Sequence, residues 1–530
     1  MKSIGVISLI LFICCSWSVT ESAKILAVFP TQAKSHYIVS QRLLFELAKS
    51  GHEVTVITLI ETKNVPKGYK EIYLDFGDKM EEFVKDLFNK TDDNQLTGGS
   101  ITNFFLGSAE TCRNILAHEK VQALMKSNAK FDLLVFEIFM DEALLGLAQH
   151  FKVPVVGIST IGVSRWVEEY TATPMPWSYI SHPLMNFPDQ MNFVQRFINT
   201  LGSSFEEYLL RTLLYPRMEE IYNEIFTDPN KPDFYTLRKS AISLVLLNSH
   251  SSLGGTKPLM TNMIEVGGMH VELKTKPLPK DMQDFIDSAE HGVIYFCLGS
   301  NVRPQYMHPE KKQAIINVFN QMKEKIIWKF DDESLQVDKN KIYIAKWMPQ
   351  NDILANPKVK VFITHGGLLG TTEAIVHGVP LVGIPIMADQ KMNMAKAELT
   401  GYGLTLFYSN LTETSFKWAL DEVINNPKYR NTVKEISTRF RDRPQDPLET
   451  AKYWVEYVIR NKGAYYLQSP ALKLNTIERY NLDVYGILIL LAQLIIYLMY
   501  RVIKFFYTLI FGRGGANAKT NNNRKKAKKA

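Results

Sequence analysis

From Trp347 to Gln390 the chain reads WMPQNDILANPKVKVFITHGGLLGTTEAIVHGVPLVGIPIMADQ. This stretch constrains the fold more than any other. Val359–Thr364 is an apolar, β-branched run of the kind that forms a strand buried on both faces. His365-Gly366-Gly367 follows, a turn where missing Cβ atoms let the backbone approach another group closely. Leu368 to His377 then reads as a helix, and Gly378 stands where a C′ glycine would stop it. Leu381–Ile386 reads as a second strand. Such a strand, turn, helix and strand belong to a parallel α/β unit, whose helix N-terminus is a ready anion site.

The polar residues narrow this further. Phe362-Ile363-Thr364-His365-Gly366-Gly367, then Glu373, Pro380, Pro385 and Asp389-Gln390, resemble the signature of the UDP-glycosyltransferases, nucleotide-sugar enzymes of the GT-B fold. The resemblance implies a donor site. In it Trp347 stacks on uracil, Gln350 reaches the base or ribose, and Glu373 accepts from the ribose hydroxyls. His365, with Gly367, Gly370 and the first helical N–H groups, faces the diphosphate, and Asp389 and Gln390 grip sugar hydroxyls. Taken singly, Trp347 also suits a core and His365 a helix cap. Many relatives carry Asn or Ser where this chain has Leu368, Leu369 and Gly370, so backbone N–H groups alone are expected at the phosphates. Gly292–Leu298 reads as another strand, and the Gly299-Ser300 turn after it is a second phosphate wall by the same resemblance.

The first half opens with a βαβ unit. Lys24–Phe29 and Val54–Ile60 read as strands, and Val39, Leu43 and Leu47 share one helical face between them. Ser35 is the expected N-cap and Gly51 the stop. His36 thereby stands at the carboxyl end of the first strand, where α/β crevices open. Family members hold their catalytic base here, and an imidazole has the pKa to take a hydroxyl proton near neutrality. A histidine at a helix start also fits a cap. An imidazolium needs a carboxylate partner. Relatives carry Asp at the end of a strand like Phe131-Asp132-Leu133-Leu134-Val135-Phe136-Glu137, which here ends in Glu. Glu137 is the expected partner and Asp141 the rival.

Residues 150–240 are rich in aromatics and Met, among them Trp166, Tyr170, Met175 and Trp177. They suit a pocket for an apolar acceptor, an ordinary core, or a surface leaning on a membrane. Leu244–Asn248 reads as the last strand of the first half. The segments expected are an acceptor domain at 23–273, a linker at 274–291, a donor domain at 292–440, and closing helices at 441–482 that return to the first half.

The 530 residues, 46% hydrophobic and 22% charged, give room for two or more domains. Net charge is +7, but nine Lys or Arg follow Tyr500 with no acid after Asp483. The basic character therefore describes a tail, and nucleic acid is not an expected partner. Residues 1–22 read as a cleaved secretory signal. Val484–Tyr500 contains no charged residue and reads, within 483–501, as a membrane span. Arg501 and Lys504 mark its cytosolic side, leading into a basic tail over 502–530. Lys526 and Lys528, fifth and third from the end, resemble a dilysine retrieval signal, and a basic tail on anionic lipid fits them too. Cys112 and Cys297 read as core thiols, and Asn89 and Asn410 open glycosylation sequons.

The resemblance as a whole implies an α/β GT-B protein: two Rossmann-like αβα domains facing a cleft, plus a C-terminal transmembrane helix. It implies transfer of a hexosyl group, glucose before glucuronate, from a UDP-sugar to a small lipophilic acceptor, with inversion. No Asp-x-Asp triplet occurs, so no metal and no cofactor beyond the co-substrate are expected. The expected setting is the endoplasmic reticulum membrane, single-pass type I, with the catalytic domains lumenal. A homo-oligomer stays open, as does a non-catalytic lumenal binder.

Overall fold

The computed structural model describes residues 22–77, 98–300, 302, 304–332 and 335–511. Nearly all of the expected signal segment, the Asn89 sequon and the basic tail from residue 512 lie outside the described residues. The chain divides into two compact units, 1–469 and 470–530.

The first unit contains two parallel sheets. Its amino-terminal sheet has seven strands, β1 (Lys24–Phe29), β2 (Glu53–Thr58), β3 (Tyr69–Tyr73), β4 (Leu133–Glu137), β5 (Val155–Ser159), β6 (Ile242–Leu247) and β7 (Met263–Glu265). Their order is β3-β2-β1-β4-β5-β6-β7. β4, β5 and β6 are buried at every position, as expected of parallel strands covered on both faces. The last strand of this half is β7 rather than the Leu244–Asn248 run. Only three residues long, it carries too little periodicity to be read from sequence.

The carboxyl-terminal sheet has six strands, β8 (Val293–Cys297), β9 (Lys325–Lys329), β10 (Ile342–Ala345), β11 (Val359–Thr364), β12 (Leu381–Gly383) and β13 (Gly403–Thr405), in the order β10-β9-β8-β11-β12-β13. β12 ends three residues before the expected Ile386. Pro385 cannot donate to a ladder, and the Ile386 and Met387 amides instead donate to Gln390 Oε1 at 2.8 and 2.9 Å.

The helices used below are labelled in chain order. Helix α1 (Lys34–Lys49) begins after Ala33, not at a Ser35 cap. Helix α2 is Phe193–Leu209. Helix α3 (Lys280–Asp287) lies where a linker was expected, because Met282 and Ile286 pack into the second half's core. Helices α4 (Leu368–Val376) and α5 (Gln390–Thr400) flank the donor segment. Helix α6 (Pro447–Arg460) returns to the first half. Its Leu448, Ala451, Val455 and Val458 share one core with Tyr37, Leu43 and Leu47 of α1. His52, buried in that region, accepts from Ala23 N–H through Nδ1 at 3.1 Å and meets Glu456 of α6 at 3.5 Å.

In the second unit, helix α7 (Leu482–Phe511) is 30 residues long, with a mean hydropathy of 2.1 over its most apolar window. It continues ten residues past the expected end at Arg501. Charge limits the apolar span but does not break a helix, and the run from Val502 to Phe511 contains neither Gly nor Pro. Its length and composition fit membrane anchoring.

Candidate active site

Strand order builds the first cluster. β1, β4 and β5 are consecutive neighbours, so the residues leaving their carboxyl ends converge. β1 delivers the start of α1 and with it His36; β4 ends in Glu137; Thr160 follows β5. His36 Nδ1 lies 2.7 Å from Glu137 Oε1 and 2.9 Å from Thr160 Oγ1. With Nδ1 so engaged, Nε2 is the nitrogen left to face a substrate. Glu137 is fully buried, whereas the His36 side chain keeps 15% of its surface. His36 is not a cap, since no side chain caps α1. Asp141 does not contact His36: its Oδ1 accepts from Phe139 N–H at 3.3 Å. Burial, with the Glu137 and Glu142 carboxyls nearby, pushes its pKa well above the usual carboxylate range.

An aromatic wall leads away from the imidazole. Phe139 meets His36 edge-on at 4.7 Å between centroids and Trp166 at 5.0 Å. Trp166, Met175, Trp177 and Ile180 line one hollow beyond it. Part of the aromatic-rich stretch thus stands beside His36.

The second cluster forms where β8 and β11, neighbours in the other sheet, both end in glycine turns. Gly299 and Gly366 have φ of +83° and +82°, which only glycine adopts freely. The His365 ring lies between Gly299 and Gly367, and a Cβ on either glycine would come within 2.5 Å of it. Lys329, the last residue of β9, donates to Gly299 O at 2.8 Å. Burial, then the Lys329 charge, lowers the His365 pKa to about 4, so the ring is neutral at pH 7. Ser300 follows Gly299 and is partly exposed. In α4 the first helical turn leaves its N–H groups without intrahelical acceptors, and Thr371 N–H bonds back to Gly367 O at 3.0 Å. Gly370 is buried; a Cβ there would sit 3.3 Å from Gln350 Nε2 and 3.4 Å from Phe362.

The ring expected to stack on a base is open. Trp347 is 75% exposed, which removes the core alternative. Gln350 accepts from Tyr295 OH at 3.2 Å and donates to Glu373. Burial raises Glu373 to about 7, against the lowering effect of that hydrogen bond.

Asp389 and Gln390 differ in what they have free. Asp389 accepts from Asn393 Nδ2 at 2.8 Å, and Asn393 also donates to Gly366 O at 3.0 Å. Burial raises the Asp389 pKa, opposed by the Asn393 hydrogen bond and by the His36 and Lys396 charges. His36 and Asp389, from different sheets, are thus electrostatic neighbours. Gln390 is 4% exposed and its oxygen holds the Ile386–Met387 turn, leaving the amide nitrogen for a ligand.

Sequence reasoning missed Thr160, Lys329 and Asn393. Each had a signal: Thr160 and Lys329 stand at the carboxyl ends of apolar runs, and Asn393 lies one helical turn beyond Asp389.

Several known proteins are similar over nearly their whole length. UDP-glycosyltransferase UGT5 of Dactylopius coccus is 34% identical over 513 residues, covering 94% of this chain and 96% of the relative. Mouse UDP-glucuronosyltransferase 2A3 is 30% identical, covering 93% of each. Among solved structures, a Polygonum tinctorium UDP-glucosyltransferase capable of glucosylating indoxyl superposes with a TM-score of 0.54 at 16% identity, over 84% of this chain and 100% of that one. CalG4, the calicheamicin glycosyltransferase, gives 0.53 at 16%, over 83% and 98%. These likenesses establish the GT-B fold. The family model described as "UDP-glucoronosyl and UDP-glucosyl transferase" matches residues 23–517, and the chain belongs to that family.

Proposed function

We propose that the protein transfers a hexosyl group, glucose in the first instance, from a UDP-sugar to a hydroxyl of a small lipophilic acceptor, with inversion. His36 Nε2 takes the hydroxyl proton, and Glu137 steadies the resulting imidazolium through Nδ1. The acceptor oxygen forms its bond to the anomeric carbon as the bond from that carbon to the β-phosphate oxygen breaks, and UDP leaves with the electron pair. The α4 N-terminus, His365 and Lys329 face the charge that develops on the diphosphate. No metal is needed in this scheme, so activity persists in EDTA.

The observation that carries the reading is the 2.7 Å contact of His36 with buried Glu137, near enough to Asp389 for the His36 charge to lower that carboxyl's pKa. Glucuronosyl transfer is the second reading. It is favoured by Lys396, two helical turns beyond Asp389 on α5, which pairs with Asp189 at 3.4 Å and whose charge lowers the Asp389 pKa. In the membrane reading α7 spans the endoplasmic reticulum bilayer and the first unit is lumenal.

The test is transfer to a simple phenol by membranes carrying wild type or His36→Ala, each given UDP-glucose or UDP-glucuronate. Product from wild type alone supports the reading, and the productive donor decides the sugar. Full activity of His36→Ala overturns the mechanism, and UDP binding without turnover by either protein favours the non-catalytic binder.

A further inference from the structure

The hollow beyond Phe139 holds polar atoms that its aromatic and aliphatic walls do not use. Ser164 is 3% exposed, and its Oγ has no hydrogen-bond partner among the described residues. Trp166 Nε1, also closed to solvent, has none either. Both residues line the hollow. Ser164 directly precedes the helix Arg165–Thr171, where a serine hydroxyl ordinarily caps, yet its side chain makes no cap bond. A buried donor left unpaired is destabilising, and native folds leave few. Two beside one hollow point to a group that enters it. Met175, on the same wall, is unbranched and can yield to that group.

The charged side chains that line the hollow are already paired. Arg165 meets Glu207 at 2.5 Å and Glu168 at 2.9 Å, and its guanidinium lies 5.5 Å from the centre of the Trp177 ring. Glu206 of α2 meets His182 at 3.0 Å. Asn199 of α2, fully buried, accepts from His182 N–H at 2.8 Å and donates to the Trp177 and Ile180 carbonyls at 2.7 and 3.0 Å, which fixes this wall. A carboxylate or an ammonium entering here would find no free counter-charge. What stays open is neutral: an indole N–H, which only donates, and a hydroxyl, which can donate. Both suit one partner, a neutral acceptor oxygen.

We propose that Ser164 and Trp166 are specificity-determining residues, selecting acceptors that carry a carbonyl oxygen at the end remote from the reacting hydroxyl, with an aromatic body between. The inference rests on the reading of His36 as the place where that hydroxyl reacts. Two ring contacts, His36 to Phe139 at 4.7 Å and Phe139 to Trp166 at 5.0 Å, separate the imidazole from the indole. Two linked aromatic rings span such a distance. The hydroxyl then lies at His36 while the far oxygen takes hydrogen bonds from Ser164 Oγ and Trp166 Nε1. An acceptor that is apolar throughout would fill the hollow and leave both donors buried and unpaired, so the hollow discriminates against it.

The experiment is equilibrium binding of two phenols of one shape, 4-acetyl-4′-hydroxybiphenyl and 4-isopropyl-4′-hydroxybiphenyl, to the full chain in lipid nanodiscs, with empty nanodiscs as the blank. Wild type is expected to bind the acetyl compound about tenfold or more tightly than the isopropyl one, because only the first pairs both donors. Ser164→Ala should cut that preference severalfold, and adding Trp166→Phe should abolish it. The melting temperature of Ser164→Ala should not fall, since the hydroxyl removed bonds to no other described residue. Equal binding of the two phenols by wild type overturns the proposal, and so does a preference that survives both substitutions. Transfer is read separately on the same samples. Tighter acetyl binding without glycosylation of either phenol upholds the assignment of Ser164 and Trp166 and overturns the transfer reading instead.

Discussion

His36 Nδ1 and Glu137 Oε1 meet at 2.7 Å although 101 residues separate them in the chain. The contact exists because β1 and β4 are parallel neighbours in register, with Val28 opposite Phe136. Glu137→Gln keeps the shape of the contact and removes its charge. It is expected to lower kcat by about 10²–10⁴-fold, the range a positioned base contributes, with the KM for UDP-sugar little changed. Steady-state kinetics check this; unchanged kcat would remove Glu137 from the mechanism.

Thr160 shares the same imidazole nitrogen at 2.9 Å. Thr160→Val deletes one hydrogen bond, which is worth about 1 kcal/mol, and should lower kcat roughly fivefold. Thr160→Ser restores most of it. A Val variant as active as wild type would show that Glu137 alone orients the ring.

Gly367 has φ −65°, so alanine there meets no backbone strain. It does meet the His365 ring at 2.5 Å. Gly367→Ala should therefore weaken UDP binding at least tenfold by displacing the ring into the proposed diphosphate site while the chain stays folded. Calorimetric titration with UDP, beside a thermal melt, tests this.

Burial raises the Glu373 carboxyl to about 7. In the proposed donor site ribose hydroxyls donate to the carboxylate form, so UDP is expected to lower this pKa and release protons. Affinity should rise as pH increases from 6 to 8, and Glu373→Gln should flatten that rise. Titrations in buffers of different ionisation heat measure the released proton directly. On the stability side the sign is the same group's burden: a carboxyl raised by folding favours the native state less as pH climbs past its unfolded value toward 7.

Trp347 is 75% exposed. Trp347→Ala should leave the melting temperature nearly unchanged yet cost UDP about 1–3 kcal/mol, the value of stacking one base on an aromatic ring. An equal loss of stability would mark Trp347 as structural.

The donor half was legible because its signals are local. Strand β11 spans Val359–Thr364 as its β-branched run predicts, and the glycines around His365 mark the turn that follows. The contact of His36 with Glu137 could be anticipated from strand ends and a motif. What escaped was set by neighbours distant in sequence. Lys329 reaches the site only because β9 lies beside β8, and Gln390's oxygen is taken by a turn whose shape Pro385 dictates.

Helix α6 packs on α1, the helix that carries His36, and this has a consequence for biosynthesis. Leu448, Ala451, Val455, Val458 and Ala464 complete a core begun at Ile25. A ribosome therefore delivers α1 more than four hundred residues before the last piece of the core it packs in. Until residue 464 is clear of the exit tunnel, α1 has only the sheet as native cover and lacks its α6 side, and the nascent chain waits with the prospective base on an unfinished support.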